Sequence, residues 1–210
     1  MSQLLQIKEL SHQFGDLLVL DNITFDLGPQ SCLAVVGSNG AGKSTLLNCI
    51  SGFYAPSRGT LRFKGQSLRG KRTDQIARLG ISRTFQQPQL FIGLSVRQHL
   101  ELAQFSVSRP RRTLGLIDQY LQDCALDKLA ERLPESLSFG QQKTLAIARC
   151  LATQPQLIML DEPAAGLSES EKDTLIKLLQ GLQQKYQFSI LLVEHQQSLI
   201  EQLADQVLVL

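Results

Sequence analysis

Apolar and polar positions alternate through the N-terminal part of the chain, in LLQIKEL and LDNITFDL. A period of two belongs to strands with one covered face, so antiparallel strands are expected there. The run CLAVVG that follows is continuously apolar, the pattern of a parallel strand buried on both faces. It leads into a glycine-rich turn, after which STLLNCISG has helical spacing and is closed by Gly52. From residue 94 to about 133 the apolar spacing is again helical. Ser95 is placed to cap a helix through VRQHLELA, and LIDQYLQDCAL predicts a second helix. Next come a helix from about Gln141, an apolar strand in QLIMLDEP and a long helix from about Ser168. The strand FSILLVEH, a short helix and a last strand in QVLVL complete the pattern. Strands alternating with helices predict an α/β fold around a mainly parallel sheet. The expected organisation is a single domain over 1–210. Its core and an N-terminal antiparallel β subdomain take 1–93 and 134–210, and a helical insertion takes 94–133.

Composition changes this picture only at a few points. A chain of 210 residues can bury a substantial core. A net charge of +2 gives no ground for a nucleic-acid partner. The charge is unevenly spread: residues 56–112 carry twelve Lys or Arg against two acids, Asp74 and Glu101. Such a stretch is either a solvated basic face or a surface for anionic headgroups or an acidic partner. Cys32, Cys49, Cys124 and Cys150 are far apart in apolar or small-residue surroundings, and buried reduced thiols are expected. The N-terminus has no basic-then-apolar leader pattern. No apolar run approaches the ~18 residues that span a bilayer, so a membrane role would come through another subunit.

Chemistry enters with GSNGAGKST, made of Gly37, Ser38, Asn39, Gly40, Ala41, Gly42, Lys43, Ser44 and Thr45. It matches G-x-x-x-x-G-K-[ST] between a predicted strand and a predicted helix, the context of a P-loop NTPase. Glycines let such a loop wrap phosphates with its amide N–H groups, and the helix N-terminus adds positive partial charge. Lys43 is expected against the β- and γ-phosphates of ATP, with the Ser44 hydroxyl on Mg²⁺. At the end of QLIMLDEP, Asp161 emerges at the edge of the sheet where α/β folds bind ligands. It is a candidate Mg²⁺ ligand, directly or through water, and Glu162 is a candidate general base for the attacking water. The segment LSFGQQ precedes a predicted helix, with Ser138 as a possible cap.

With these three segments in order, the chain resembles the ABC ATPase family, whose signature reads LSGGQ. Ser138, Gly140 and Gln141 match, Phe139 stands for the first glycine, and Ser138 precedes Asp161 by 23 residues as in the family. Phe85-Gln86 resembles the glutamine loop, with Gln86 able to reach Mg²⁺ or the water. Residues Ala165, Gly166, Leu167 and Ser168 resemble the loop joining the two nucleotide sites, Ser168 standing where many members have Asp. His195 resembles the switch histidine at the γ-phosphate, and Phe14 the aromatic that stacks on adenine. His12 and His99 match no motif and are expected on the surface or satisfied in the core. Arg83 is expected to make a local ion pair and nothing more.

The resemblance implies two such subunits head to tail around two ATP molecules. Ser138, Gly140 and Gln141 of one would cap the γ-phosphate held by Lys43 of the other. It also implies integral membrane permease subunits, with the chain on the cytoplasmic side of the inner membrane as a peripheral subunit. The runs ISRTFQQPQLFIGLSVRQHLELA and DEPAAGLSESE resemble importer ATPases for branched-chain amino acids, with urea-type importers as relatives. The chain stops soon after its final predicted strand, where such relatives usually continue, and a compact or shortened member is expected. The alternative is a soluble ABC-type ATPase acting on DNA or the ribosome. Neither a long coiled-coil interruption nor a second cassette is present in the sequence. A small-molecule kinase would not explain LSFGQ before LDEP, and a non-hydrolysing subunit would not need both Glu162 and His195.

Overall fold

The computed structural model describes residues 3–105 and 115–210. The alternating N-terminal segments form β1 (Leu5–Phe14) and β2 (Leu17–Leu27), paired antiparallel with β-bulges along β1. The apolar run is β3 (Cys32–Val36), followed by α1 (Lys43–Ser51), which ends at Gly52 in the left-handed region, φ 77°. Residues 53–93, for which the sequence pattern predicted no elements, hold β4 (Arg58–Phe63), β5 (Gln66–Ser67), α2 (Thr73–Leu79) and β6 (Ile81–Arg83). Next are α3 (Val96–Phe105) and α4 (Leu116–Asp123), with 3₁₀ turns at Asp127–Leu129 and Pro134–Ser136. The chain continues as α5 (Phe139–Ala152), β7 (Leu157–Asp161), α6 (Glu169–Tyr186), β8 (Ser189–Val193), α7 (Gln197–Leu203) and β9 (Gln206–Val209). Arg109, Arg111 and Arg112 of the basic stretch, and part of the expected insertion, lie outside the described residues.

Two sheets result. One is four-stranded in the order β2-β1-β4-β5, with every pairing antiparallel. The other is five-stranded in the order β6-β7-β8-β3-β9, with every pairing parallel. Strand alternation divides the parallel sheet between two apolar cores. Leu157 and Met159 of β7, Leu191 and Val193 of β8, and Leu33 and Val35 of β3 join α1 and the antiparallel sheet. Ile158, Leu160, Ile190 and Leu192 face α3 through α7 on the other side. All residues of β7 and β8 are buried, which is why these segments read as apolar runs. A fully buried Leu, Ile or Val side chain contributes about 1.5–3 kcal/mol. The insertion helices share the second core, with Val96, Leu100, Tyr120 and Leu121 in one cluster with Leu145 and Ile147 of α5.

Local signals set the helix starts. Ser95 and Gln98 exchange side-chain-to-backbone hydrogen bonds (2.8 and 3.3 Å) at the start of α3. At α6 Ser168 is the N-cap and Glu171 returns to its N–H at 2.9 Å, so a serine fills the capping role that aspartate also performs. All four cysteines are free and buried. Burial pushes the Cys49 thiol up to about 11 and the other three to about 12, which keeps them protonated. Among the described residues no helix is long and apolar enough to cross a membrane.

Candidate nucleotide site

Parallel pairing brings the C-terminal ends of β6, β7, β8 and β3 to one edge of the sheet, where ligands bind in open α/β folds. From β3 the chain enters loop 37–42 and then α1. Gly42 has φ 96°, and a Cβ there would lie 2.7 Å from Leu20 Cδ2 and 2.8 Å from the Val19 carbonyl oxygen. Only glycine lets the loop pack so closely on β2. The first turn of α1 holds no acid, so its free N–H groups and positive partial charge form an anion site. The Lys43 ammonium donates to the carbonyls of Gly37 (2.9 Å) and Ser38 (2.8 Å), which lays the side chain along the loop.

The other strand ends add polar side chains. Gln86 Nε2 donates to Glu162 Oε2 at 2.7 Å, and His195 Nε2 lies 3.4 Å from Glu162 Oε1. These three line one cleft of about 660 Å³ together with Val19, Asn39, Gly40, Gly42, Lys43, Ser44 and Thr45. Residues drawn from four separate motifs thus meet around one open volume. Glu162 is in the left-handed region, φ 47°, a conformation that costs a non-glycine residue about 1–3 kcal/mol and clusters at functional sites. Its N–H donates to the Val193 carbonyl at 2.9 Å, and its carbonyl accepts from Lys143 Nζ at 2.9 Å. Burial pushes the Lys143 amine below the usual lysine range, partly offset by Glu194 and Glu162.

Asp161 has a partner the sequence did not suggest. Arg83 Nη2 donates to Asp161 Oδ2 at 2.8 Å, and each side chain is only 8% exposed. Arg83 Nη1 reaches Asn48 of α1 at 2.6 Å. The expected local ion pair is therefore a buried tertiary one across 78 residues. It arises because β6 and β7 are adjacent parallel strands. A resident Mg²⁺ would be served by hard oxygens: the Ser44 hydroxyl, the Gln86 amide oxygen and the Asp161 oxygen not taken by Arg83. Among the described residues no cluster of three or more His, Cys, Asp or Glu could hold a metal ion. A sparse oxygen set fits Mg²⁺, which keeps waters and relies on substrate phosphates.

Other predicted residues lie apart from this cleft. Phe14 is half-exposed at the end of β1 and packs edge-on to His12 (4.6 Å) and Tyr54 (5.2 Å), outside the cleft lining. Ser138 is the N-cap of α5, which begins two residues before the predicted start. Its Oγ accepts from the Gln141 N–H at 3.2 Å, and its own N–H donates to Gln141 Oε1 at 2.9 Å. The turn is a capping box on an exposed surface, with Ser138 exposed and Phe139 44% exposed. At Gly140 a Cβ would meet Glu171 Oε1 at 2.8 Å, so the helix start is closely packed from behind.

Sequence reasoning missed Val19, Lys143 and Glu194. Glu194 is 2% exposed and accepts from the N–H groups of Ala164, His195 and Gln196, fixing the turn that carries His195. An acid closing the apolar run FSILLVE was its signal. Lys143 carried a helical signal, since it shares a face with Ile147 and Cys150. Nothing in the local sequence marks Val19. His99 is a satisfied core residue as expected. His12 is buried, with Nδ1 3.1 Å from the Ala55 carbonyl. Among the described residues its Nε2 has no hydrogen-bond partner, so it is neither on the surface nor fully satisfied.

Known proteins share this fold. Residues 20–165 match the family described as ABC transporter. The chain belongs to that family. LivG of Escherichia coli, a high-affinity branched-chain amino acid transport ATP-binding protein, is 38% identical over 226 aligned positions, covering 100% of this chain and 89% of LivG. BraF of Pseudomonas aeruginosa, which has the same description, is 33% identical over 99% of this chain and 88% of its own. A solved ATP-binding cassette of an ABC transporter in its ADP conformation superposes with a TM-score of 0.89 at 26% identity, covering 100% of this chain and 88% of that one. A Clostridium perfringens cassette, part of the cbiONQ transporter complex, also has a TM-score of 0.89, at 28% identity, covering 100% and 85%. The ABC cassette described here is thus an ATP-binding, ATP-hydrolysing transport subunit. It is peripheral to the membrane and works with permease components.

Proposed function

We propose that the cassette hydrolyses Mg²⁺-ATP to drive an importer of branched-chain amino acids or a related small polar solute, from the cytoplasmic face of the inner membrane. The observation that carries the proposal is the meeting of Gln86, Glu162 and His195 in the cleft of Lys43 and Ser44. Lys43 and the α1 N-terminus bind the phosphates, and Phe14 offers a ring to adenine. Glu162 takes the proton of the attacking water. Gln86, already bonded to its carboxylate, orients that water, and His195 stabilises the γ-phosphate from the other side of Glu162. Ser44, Gln86 and Asp161 would hold Mg²⁺, which would neutralise charge on the phosphates when bound.

The exposed Ser138 turn fits completion of a partner's site. A second subunit's ATP would meet the α5 N-terminus, Ser138, Gly140 and Gln141, and neither half-site alone surrounds the γ-phosphate. A second, apolar groove of about 380 Å³ lies next to the glutamine loop, with Phe53, Phe85, Phe91 and Leu102 on its walls. We assign this groove to a cytoplasmic helix of the permease. The solute assignment is supported by the descriptions of LivG and BraF. Affinity purification of the cassette from detergent-solubilised membranes tests the whole reading. Two permeases and a second ATPase should co-purify, and branched-chain amino acids with their binding protein should stimulate ATP turnover. Capture of nucleic-acid or ribosomal proteins without a permease would overturn it.

A further inference from the structure

Glu162 must keep a left-handed backbone to aim its carboxylate between Gln86 and His195. A residue stays in that region only where its surroundings over-determine it. On the N–H side the anchor is the Val193 carbonyl of the neighbouring strand. On the carbonyl side it is one side chain, the 5%-exposed Lys143, whose Nζ donates at 2.9 Å. Lys143 belongs to α5, the helix capped by the signature turn. The same ammonium lies 5.2 Å from the centre of the Phe139 ring, within the range of a cation–π contact. Phe139 in turn lies on Gly166, at φ 78°, where an added Cβ would come within 2.9 Å of Phe139 Cε1. The aromatic that replaces the first signature glycine therefore fills a place that opens only because residue 166 has no side chain.

We infer that Lys143 is a positioning residue for Glu162, held in place by Phe139. The turn that completes a partner's site then also sets the general base of the chain's own site. The inference rests on Glu162 acting as that base. Lys143 touches no reacting atom in this scheme; it acts through the Glu162 peptide. A shift of the Ser138 turn on meeting the partner's nucleotide is passed through one helical turn of α5 to the Glu162 carbonyl.

The test measures ATP turnover, KM for ATP and the lifetime of the ATP-bound dimer in the assembled transporter. Lys143→Met keeps the apolar stem and removes the ammonium. It should lower kcat at least about tenfold while KM changes less than about twofold, and the ATP-bound dimer should persist. Lys143→Arg should recover most of kcat. Phe139→Leu should lower kcat about threefold at unchanged KM. Wild-type kcat in Lys143→Met overturns the inference, as does a parallel loss of kcat and ATP affinity. If Lys143→Met fails to fold, the half-exposed Phe139→Leu decides, and unchanged kcat in it is then the overturning result. Glu162→Gln is run alongside. Normal turnover in that variant defeats the assignment of the base, whereas an inert Glu162→Gln beside a normal Lys143→Met defeats only the inference.

Discussion

The cleft and the groove lie on either side of one short segment and are built on opposite principles. The cleft of about 660 Å³ is walled by glycines, hydroxyls, an ammonium and an acid, each at the end of a strand or the start of a helix. The groove of about 380 Å³ is walled by aromatic and aliphatic side chains from α2, α3, α5 and the glutamine loop. Gln86 faces the cleft while Arg83 and Phe85 face the groove, so residues 83–86 belong to both. Arg83 carries the link furthest. Its guanidinium lies 4.9 Å from the Phe85 ring centre and is bonded to Asp161 and Asn48. Phosphate chemistry needs a few groups at fixed positions, and a short motif specifies them. Docking needs a surface, and a surface is assembled from pieces far apart in sequence.

The largest expected effect removes chemistry from the cleft alone. Glu162→Gln should lower kcat about 10²–10⁴-fold and leave an ATP-bound dimer, seen as a nucleotide-dependent shift in size-exclusion volume. ATP turnover within tenfold of the wild type would mean that another group takes the proton. The next effect strikes the joint between the two regions. Breaking a buried ion pair by removing one partner costs about 3–5 kcal/mol. Arg83→Met should therefore lower Tm by about 6–20 °C in a domain of this size. Adding Asp161→Asn should restore part of the loss. A Tm unchanged to within 2 °C in Arg83→Met would show that the pair does not tie cleft to groove.

Smaller effects separate the regions. Leu102→Asp places a charge on the groove wall, remote from Glu162. Permease binding in a detergent pull-down should fall about tenfold, with basal ATP turnover within about twofold of the wild type, a difference near 1.4 kcal/mol. Equal loss of both activities would deny the groove a separate role. Ser138→Ala removes the capping oxygen of α5 and should cost about 1 kcal/mol, or about 2–4 °C in Tm. Its ATP-driven dimerisation should fall further than that loss explains, since the proposed dimer brings the hydroxyl to the partner's phosphate. Dimerisation equal to the wild type would reduce Ser138 to a cap.

The same contrast explains what the sequence revealed. GSNGAGKST, LDEP and LSFGQ were readable because phosphate binding, a strand-end acid and a helix cap each need specific residue types in a row. Four of the five strands of the parallel sheet announce themselves. β3, β7 and β8 do so by apolar runs, because burial on both faces leaves little choice, and β9 by VLVL although it is largely exposed at the sheet edge. Residues 53–93 gave no periodic signal. β4 is short, β5 has two residues and β6 three, so no window is long enough to show a period. The groove inherits this opacity, because α2, β6 and the glutamine loop form much of it. Arg83 reads as an ordinary charge until β6 and β7 are paired, and Lys143 until α5 is seen with one face buried. Phe14 was legible only through the resemblance: its ring packs edge-on to His12 and Tyr54 beside the antiparallel sheet and stays half-exposed, the face proposed for adenine.

The smallest effect is a pH dependence that belongs to the groove and not to the cleft. His99 lines the groove wall, is 1% exposed, and makes two bonds that fix its tautomer. Nδ1 lies 2.8 Å from the Ser95 carbonyl, and Nε2 accepts the Phe91 N–H at 2.9 Å. The ring is neutral with its proton on Nδ1, because a proton on Nε2 would oppose the Phe91 N–H. Burial holds its pKa below the ordinary 6.5, with the Arg149 charge acting the same way and the Ser95 bond and Glu135 opposing. Since the folded value is the lower one, the unfolded chain takes up the proton first as pH falls. Stability from this site is complete above pH 6.5 and declines from there down to the folded value, by at most about 1.4 kcal/mol per pH unit. His99→Gln should flatten thermal stability between about pH 6.5 and 5.5 relative to the wild type. Permease binding should hold over that interval and weaken only at lower pH, below the folded value. There a proton on Nε2 displaces the Phe91 N–H and loosens the groove mouth in the wild type. Parallel pH profiles for the two proteins would remove His99 from the account, and would leave the groove as insensitive to acid as its apolar lining suggests.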